Sequence, residues 1–285
     1  MISPLPKPRP IVPRPFPFPK PKRLPKGKPM TLVAAYRSME GGILLCADRE
    51  ENDGVAKRSV DKIYPIRLLP CDVYLAGAGP ANAIVKANEE IHSALSHAFA
   101  SGADVLREYK TLIEAALLSV HAQFPEELEG MPMNFLIILQ AHAPNSVPRF
   151  YRTEKSVMLI ENEYAAFGSG KLICDYFSDR LYEYPKFDKP NLMAVAAFIF
   201  REAHKSASGV GPDVDMIYMR PSSALGEREE FGTNLVKEIQ DGIPPLSEAI
   251  WAYWKAHVNL PPWTGKAPDL GPQTEENQPK VEFFT

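Results

Sequence analysis

The sequence predicts an α+β domain built in layers. Three observations carry this. Strand-like and helix-like segments come in blocks (strands, two helices, strands, two helices, strand), whereas a parallel sheet built of βαβ units alternates them. Ile43 to Ala47 and Phe135 to Leu139 are unbroken apolar runs, too continuous for strands with one wet face. Two long segments place apolar residues on a single helical face.

The folded part is expected from Thr31 to about Val258. Thr31 to Arg37 is a short apolar run, Glu40-Gly41-Gly42 a turn, and Ile43 to Ala47 a buried strand. Together they read as a hairpin of adjacent antiparallel strands. Lys62 to Ile66 and Asp72 to Ala76 make two further strands. Pro80 suits the first turn of a helix, whose inward face carries Ile84, Ala87, Ile91 and Leu95. A second helix runs from about Ala103 to Gln123 with Val105, Leu106, Leu112, Ile113 and Ala116 inward. Phe135 to Leu139, Val157 to Ile160 and Tyr164 to Phe167 are strands, and Lys171 to Tyr182 and Asn191 to His204 helices. Val214 to Met219 is a strand and Ser247 to His257 a last helix.

Composition narrows the classes. The chain has 285 residues, 45% hydrophobic and 24% charged, the balance of an ordinary globular protein. No apolar run approaches the ~20 residues needed to span a bilayer, and the first 30 residues lack the apolar segment of a secretory signal. Cys46, Cys71 and Cys174 are too few and too scattered for a disulfide framework or zinc knuckle. The chain therefore reads as cytoplasmic and reduced, with no metal or cofactor and no membrane or nucleic-acid partner.

Charge and proline are unevenly spread. Residues 1–30 hold eight Lys/Arg, no acid and eleven of the 29 prolines. Such a segment has few backbone donors and a fixed φ, so extended polyproline-like chain is expected there. All 35 acidic residues lie beyond it against 24 basic ones, a net of −11. The expected organisation is a Pro-rich basic leader over 1–30, one domain over 31–258 and a Pro-rich tail over 259–285. The six histidines show neither an i,i+4 pair nor an HExxH pattern and read as surface or packing residues.

Several short stretches, taken in order, resemble the proteasome β-subunit type of N-terminal nucleophile hydrolase. Thr31 heads the first strand. Gly41-Gly42-Ile-Leu-Leu-Cys-Ala-Asp48-Arg49 is similar to the family's second strand, and Lys62-Ile-Tyr to its lysine strand. Ala76-Gly77-Ala78-Gly79 resembles the turn before the first long helix, and Gly168-Ser169-Gly170 the head of the third. Val210-Gly211-Pro212 is similar to bacterial branches. The resemblance covers Thr31 to about Met219. It implies a four-layer αββα sandwich and a threonine peptidase cleaving peptide bonds by acyl transfer, working as a homo-oligomeric ring on peptide or unfolded-protein substrates. It does not identify an ATPase partner.

The implied roles follow from the chemistry. A threonine hydroxyl becomes a nucleophile when a base takes its proton, and a free α-amine on the same residue can do that. The amine titrates near ~7.7–8.0 unperturbed, and a neighbouring ammonium favours its neutral form. By resemblance Thr31 is the nucleophile, Lys62 the ammonium, and Asp48 its charge partner. The Gly77 N–H would receive the oxyanion, and Ser169 would orient the amine and a bridging water. Leu75 and Gly79 would border an uncharged substrate pocket.

The sequence departs from the pattern in three places. Thr31 follows Lys28-Pro29-Met30 instead of standing free. Its amine is exposed if the leader is cleaved, or if translation begins at Met30 and that methionine is removed. The Ala-Asp-x-Arg pattern is shifted to Ala47-Asp48-Arg49. The acidic residue after the fourth helix is replaced by serines, with Ser206 or Ser208 as the substitute. Two alternatives stay open: an inactive structural subunit of the same fold, and a scaffold whose leader binds an aromatic groove or an anionic partner.

Overall fold

The computed structural model describes residues 31–52, 57–125, 132–207, 209–221, 228–231 and 233–243. The leader, the C-terminal tail, Ser208 and the helix expected over Ser247 to His257 lie outside them. In chain order the strands are β1 (Leu32–Arg37), β2 (Ile43–Asp48), β3 (Glu50–Asn52), β4 (Lys57–Ser59), β5 (Ile63–Arg67) and β6 (Cys71–Ala78), followed by helices α1 (Ala81–Ala100) and α2 (Val105–Gln123). Next come β7 (Asn134–Ala141), β8 (Arg149–Glu154), β9 (Val157–Ile160) and β10 (Tyr164–Gly168), then α3 (Lys171–Leu181) and α4 (Lys189–Ser206). The last are β11 (Val214–Met219), β12 (Arg228–Phe231) and α5 (Thr233–Gly242).

One five-stranded sheet has the order β10-β1-β2-β11-β12 and the other β5-β6-β7-β8-β9, and every pairing is antiparallel. β1 and β2 form the expected hairpin, with Val33 opposite Ala47 and Arg37 opposite Ile43. The alternation of side chains along a strand gives β6 two buried faces. Val73 and Leu75 pack with Ala87, Ile91, Ile113 and Leu117 of α1 and α2. Tyr74 and Ala76 share a cluster with Val33, Ala35 and Leu45 of the other sheet. On that other sheet α3 touches β1 and β10, and α4 touches β2 and β11.

The expected four-layer αββα sandwich is corrected. The chain is a mixed α/β fold built on antiparallel sheets, with more sheet than the sequence pattern reveals. β3 and β4 form a separate two-stranded sheet. β8 and β12 carry so many charged residues that no apolar run marks them, and they are held by their neighbours β7 and β11. Pro80 is the N-cap of α1, in extended conformation (φ −60, ψ 128), and not its first helical residue. Asp104 and Asp188 cap α2 and α4 through their side chains, the arrangement that satisfies an orphan N–H at a helix start.

Among the described residues the three cysteines are free and buried, and no helix is long and apolar enough to cross a membrane.

Candidate active site

The antiparallel pairing gathers distant residues at one end of the β10-β1-β2-β11-β12 sheet. Thr31 immediately precedes β1 and Asp48 ends β2. Gly168, the last residue of β10, lies opposite Leu32, and Val214, the first of β11, opposite Asp48. The small β3-β4 sheet then turns the chain back: Glu50 faces Ser59, and the Val60 N–H donates to the Arg49 carbonyl at 2.8 Å. That return delivers Lys62 to Asp48 at the start of β5.

Asp48 is fully buried and gathers five donors. Its Oδ1 accepts from the Thr31 hydroxyl at 2.8 Å, the Leu32 N–H at 2.6 Å and Lys62 Nζ at 3.0 Å. Its Oδ2 accepts from the Glu50 N–H at 3.1 Å and the Gly211 N–H at 2.9 Å. An ionised carboxylate is acceptor-only with about four lone-pair sites, so five donors saturate this carboxylate. Lys62 Nζ also donates to Thr31 Oγ1 at 2.7 Å and to the Glu50 carbonyl at 2.5 Å, which uses all three protons of an ammonium. Burial lowers the Lys62 pKa below its ordinary 10.5, with Asp48 first and then Glu50 and Glu51 opposing the shift.

Glycines shape the backbone around Thr31. Gly168 has φ +107, and a Cβ there would stand 2.0 Å from the Thr31 carbonyl oxygen. A Cβ on Gly211 would meet the Glu50 Cβ at 2.5 Å, so only glycine lets this N–H reach Asp48. The Ser169 hydroxyl donates to the Thr31 carbonyl at 3.3 Å. It therefore bonds the carbonyl side of Thr31, where the resemblance implied the amine. The shifted arginine has its own place: Arg49 pairs with Asp215 of β11 at 3.0 Å and with Asp61 at 2.7 Å, tying the β3-β4 return to the sheet.

A cavity of ≈ 130 Å³ opens beside Thr31 and Lys62. Gly77 and Gly79 line it, with apolar walls from Val60, Tyr64, Ile84 and Val85. Gly77 also has a packing reason to lack a side chain, since a Cβ would meet Ile84 at 2.9 Å. The pocket differs from the uncharged one expected, because Glu50 and Glu51 line it as well. Leu75 is corrected: it is 0% exposed within the core under α1 and α2 and does not line this cavity. Ser206 is corrected too: it is exposed at the end of α4 and makes no hydrogen bond to these residues among those described. The sequence reading missed Glu50, Glu51, Tyr64 and the Gly211 amide. Tyr64 was visible only as part of the Lys62-Ile-Tyr stretch, and Gly211 only as part of the Val210-Gly211-Pro212 stretch. No group of metal-ligating side chains that could hold an ion occurs among the described residues.

No protein-family model matches the chain and no curated protein matches it in sequence. Solved structures do match it in fold. An Anbu (Gly-1) mutant from Hyphomicrobium sp. strain MC1 superposes with TM-score 0.62 at 17% identity, over 79% of this chain and 98% of that one. Anbu (ancestral beta-subunit) from Yersinia bercovieri gives TM-score 0.61 at 16% identity, over 81% and 98%. The chain in a structure described as the helical assembly of the Anbu complex from Pseudomonas aeruginosa gives 0.61 at 15%, over 82% and 100%. The proteasome β-subunit assignment read from the sequence is corrected accordingly: the likeness found is to Anbu chains, and at this identity it is a likeness of fold that does not establish N-terminal nucleophile chemistry.

Proposed function

We propose that the protein is a threonine peptidase in which the Thr31 hydroxyl attacks a peptide carbonyl. The observation that carries this reading is the position of Thr31 Oγ1, which accepts from Lys62 at 2.7 Å and donates to Asp48 at 2.8 Å. The ammonium lowers the cost of a developing alkoxide. In the 285-residue chain the Thr31 nitrogen is the amide of Met30-Thr31. Its lone pair is delocalised into the carbonyl and cannot accept a proton, so the full chain lacks the base.

With Thr31 as the first residue, the free amine takes the hydroxyl proton as the oxygen attacks. The carbonyl π pair moves onto oxygen, and the Gly77 N–H is the proposed donor to that oxyanion. Collapse expels the amine product, which leaves with the proton, and a threonyl ester remains. Water then hydrolyses the ester with the same amine as base. Ser169 steadies the Thr31 carbonyl, and Gly79 bounds the cavity that receives a substrate side chain. Apolar walls with Glu51 among them favour a side chain with an aliphatic stem and a cationic head. The free cysteines are in keeping with a reducing, cytoplasmic setting. A homo-oligomer is part of the proposal, supported by the neighbour described as a helical assembly.

A second reading, a non-catalytic structural subunit, is favoured by the amide at Thr31. Turnover of small fluorogenic peptides separates the two: a chain beginning at Thr31 is active under the first reading and inert under the second.

A further inference from the structure

Outside the residues assigned above, one histidine touches the backbone that holds Asp48. His204, in the last turn of α4, has its Nδ1 2.6 Å from the Val210 carbonyl oxygen. The next amide, Gly211 N–H, donates to Asp48 Oδ2 at 2.9 Å. These two groups belong to one peptide plane, because the carbonyl of Val210 and the N–H of Gly211 flank the same C–N bond. That bond is rigid and trans, so its C=O and N–H point in opposite directions. The plane is thus gripped on one side by His204 and on the other by Asp48. Its setting is tight: Val210 is 2% exposed, and the absent Cβ of Gly211 is what lets Glu50 approach.

We infer that His204 is a positioning residue for Asp48, acting through the Val210–Gly211 peptide. A carbonyl oxygen only accepts, so Nδ1 must carry the proton. The bond polarises the peptide and strengthens the Gly211 N–H as a donor. Asp48 in turn sets where Thr31 and Lys62 stand. The kinetic part of the inference rests on the threonine peptidase reading; the structural part does not.

The test uses the full chain, labelled with 15N at histidine and glycine, as wild type and as His204→Asn and His204→Phe. Asparagine keeps an N–H donor close to the Nδ1 position, while phenylalanine keeps bulk without a donor. Thermal melting first confirms that each variant is folded; should His204→Phe not fold, His204→Leu replaces it. At a pH where the ring is neutral, wild-type His204 is expected as the Nδ1–H tautomer, with faster Gly211 amide exchange in His204→Phe and near-wild-type exchange in His204→Asn. For turnover the same variants are made in the chain beginning at Thr31, where on small peptides kcat of His204→Phe is expected to fall about three- to tenfold, the scale of one hydrogen bond, with KM within about twofold. His204→Asn should recover most of it. An Nε2–H tautomer, unchanged Gly211 exchange in His204→Phe, or equal losses in the two variants would overturn the inference. If the wild-type chain beginning at Thr31 turns over no peptide, the peptidase reading fails, and the tautomer and exchange measurements on the full chain still decide the role of His204.

Discussion

Lys62 Nζ and Thr31 Oγ1 lie 2.7 Å apart although 31 positions separate them in the chain. They come from different sheets, since Lys62 leads into β5 and Thr31 into β1. Thr31→Ala in the chain beginning at Thr31 is expected to lower turnover on the order of 10³-fold or more, the usual scale for losing a nucleophile. Thr31→Ser keeps both hydroxyl and amine and should retain measurable activity. Equal rates for Thr31→Ala and wild type would assign any turnover to another residue or a contaminant.

The pH profile should carry the mark of Lys62. On the acid side, activity rises as the Thr31 amine loses its proton, a step eased by the adjacent ammonium. On the alkaline side, activity falls as Lys62 itself deprotonates, below the ordinary lysine value of 10.5 because burial lowers its pKa. Stability takes the opposite slope. Between the lowered folded pKa and 10.5 the unfolded chain binds more protons at this site, so this group's contribution to stability rises with pH across that window. Lys62→Ala should remove the alkaline limb along with most of the activity. A kcat/KM profile with the same alkaline limb in wild type and Lys62→Ala would detach the limb from Lys62.

Asp48→Ala should be costly to folding as well as to catalysis. It leaves the Leu32, Glu50 and Gly211 amides and the Lys62 ammonium without their shared acceptor. Loss of one partner of a buried ion pair destabilises by about 3–5 kcal/mol. Urea unfolding measures it; a loss below about 1 kcal/mol would mean that water replaces the carboxylate.

How much of this was legible in the sequence varied with burial. The β1-β2 hairpin and helices α1 to α4 announced themselves through apolar runs and periodicity. Thr31, Asp48, Lys62 and Gly77 were named through resemblance, since no local spacing links residues this far apart. Leu75 was misread because all eight residues of β6 are buried, which leaves nothing to show which face each side chain takes. β3, β4, β8 and β12 were missed because their strands are short or charged and owe their shape to pairing. His204 looked like a surface residue, and it is exposed; only the path of the loop after α4 reveals its carbonyl partner.

Gly168→Ala tests the backbone beside the nucleophile. Its φ of +107 and the approach of the Thr31 carbonyl both exclude a Cβ. The substitution is expected to cost about 1–3 kcal/mol for the backbone strain alone and to displace Thr31. Denaturation midpoints and peptide turnover should fall together; a fully stable and fully active variant would show that Thr31 needs no such support.

Under the proposed peptidase reading, the charge in the cavity is expected to set a substrate preference. Across fluorogenic peptides that differ only in the residue before the scissile bond, arginine or lysine should be preferred over glutamate. Glu51→Gln should weaken that preference by about two- to tenfold, the range of a partly exposed charge contact. An unchanged preference in the variant would remove Glu51 from substrate selection.

The central claim is that a free Thr31 is the nucleophile, and covalent labelling tests it most directly. Protein beginning at Thr31 and the full chain, both shown to be folded, are treated with a threonine-directed electrophile and analysed by intact mass and peptide mapping. The account predicts a single adduct on Thr31 in the first and none in the second, with the adduct lost in Lys62→Ala. A folded, oligomeric protein beginning at Thr31 that takes no label on that residue would contradict it and leave the structural-subunit reading.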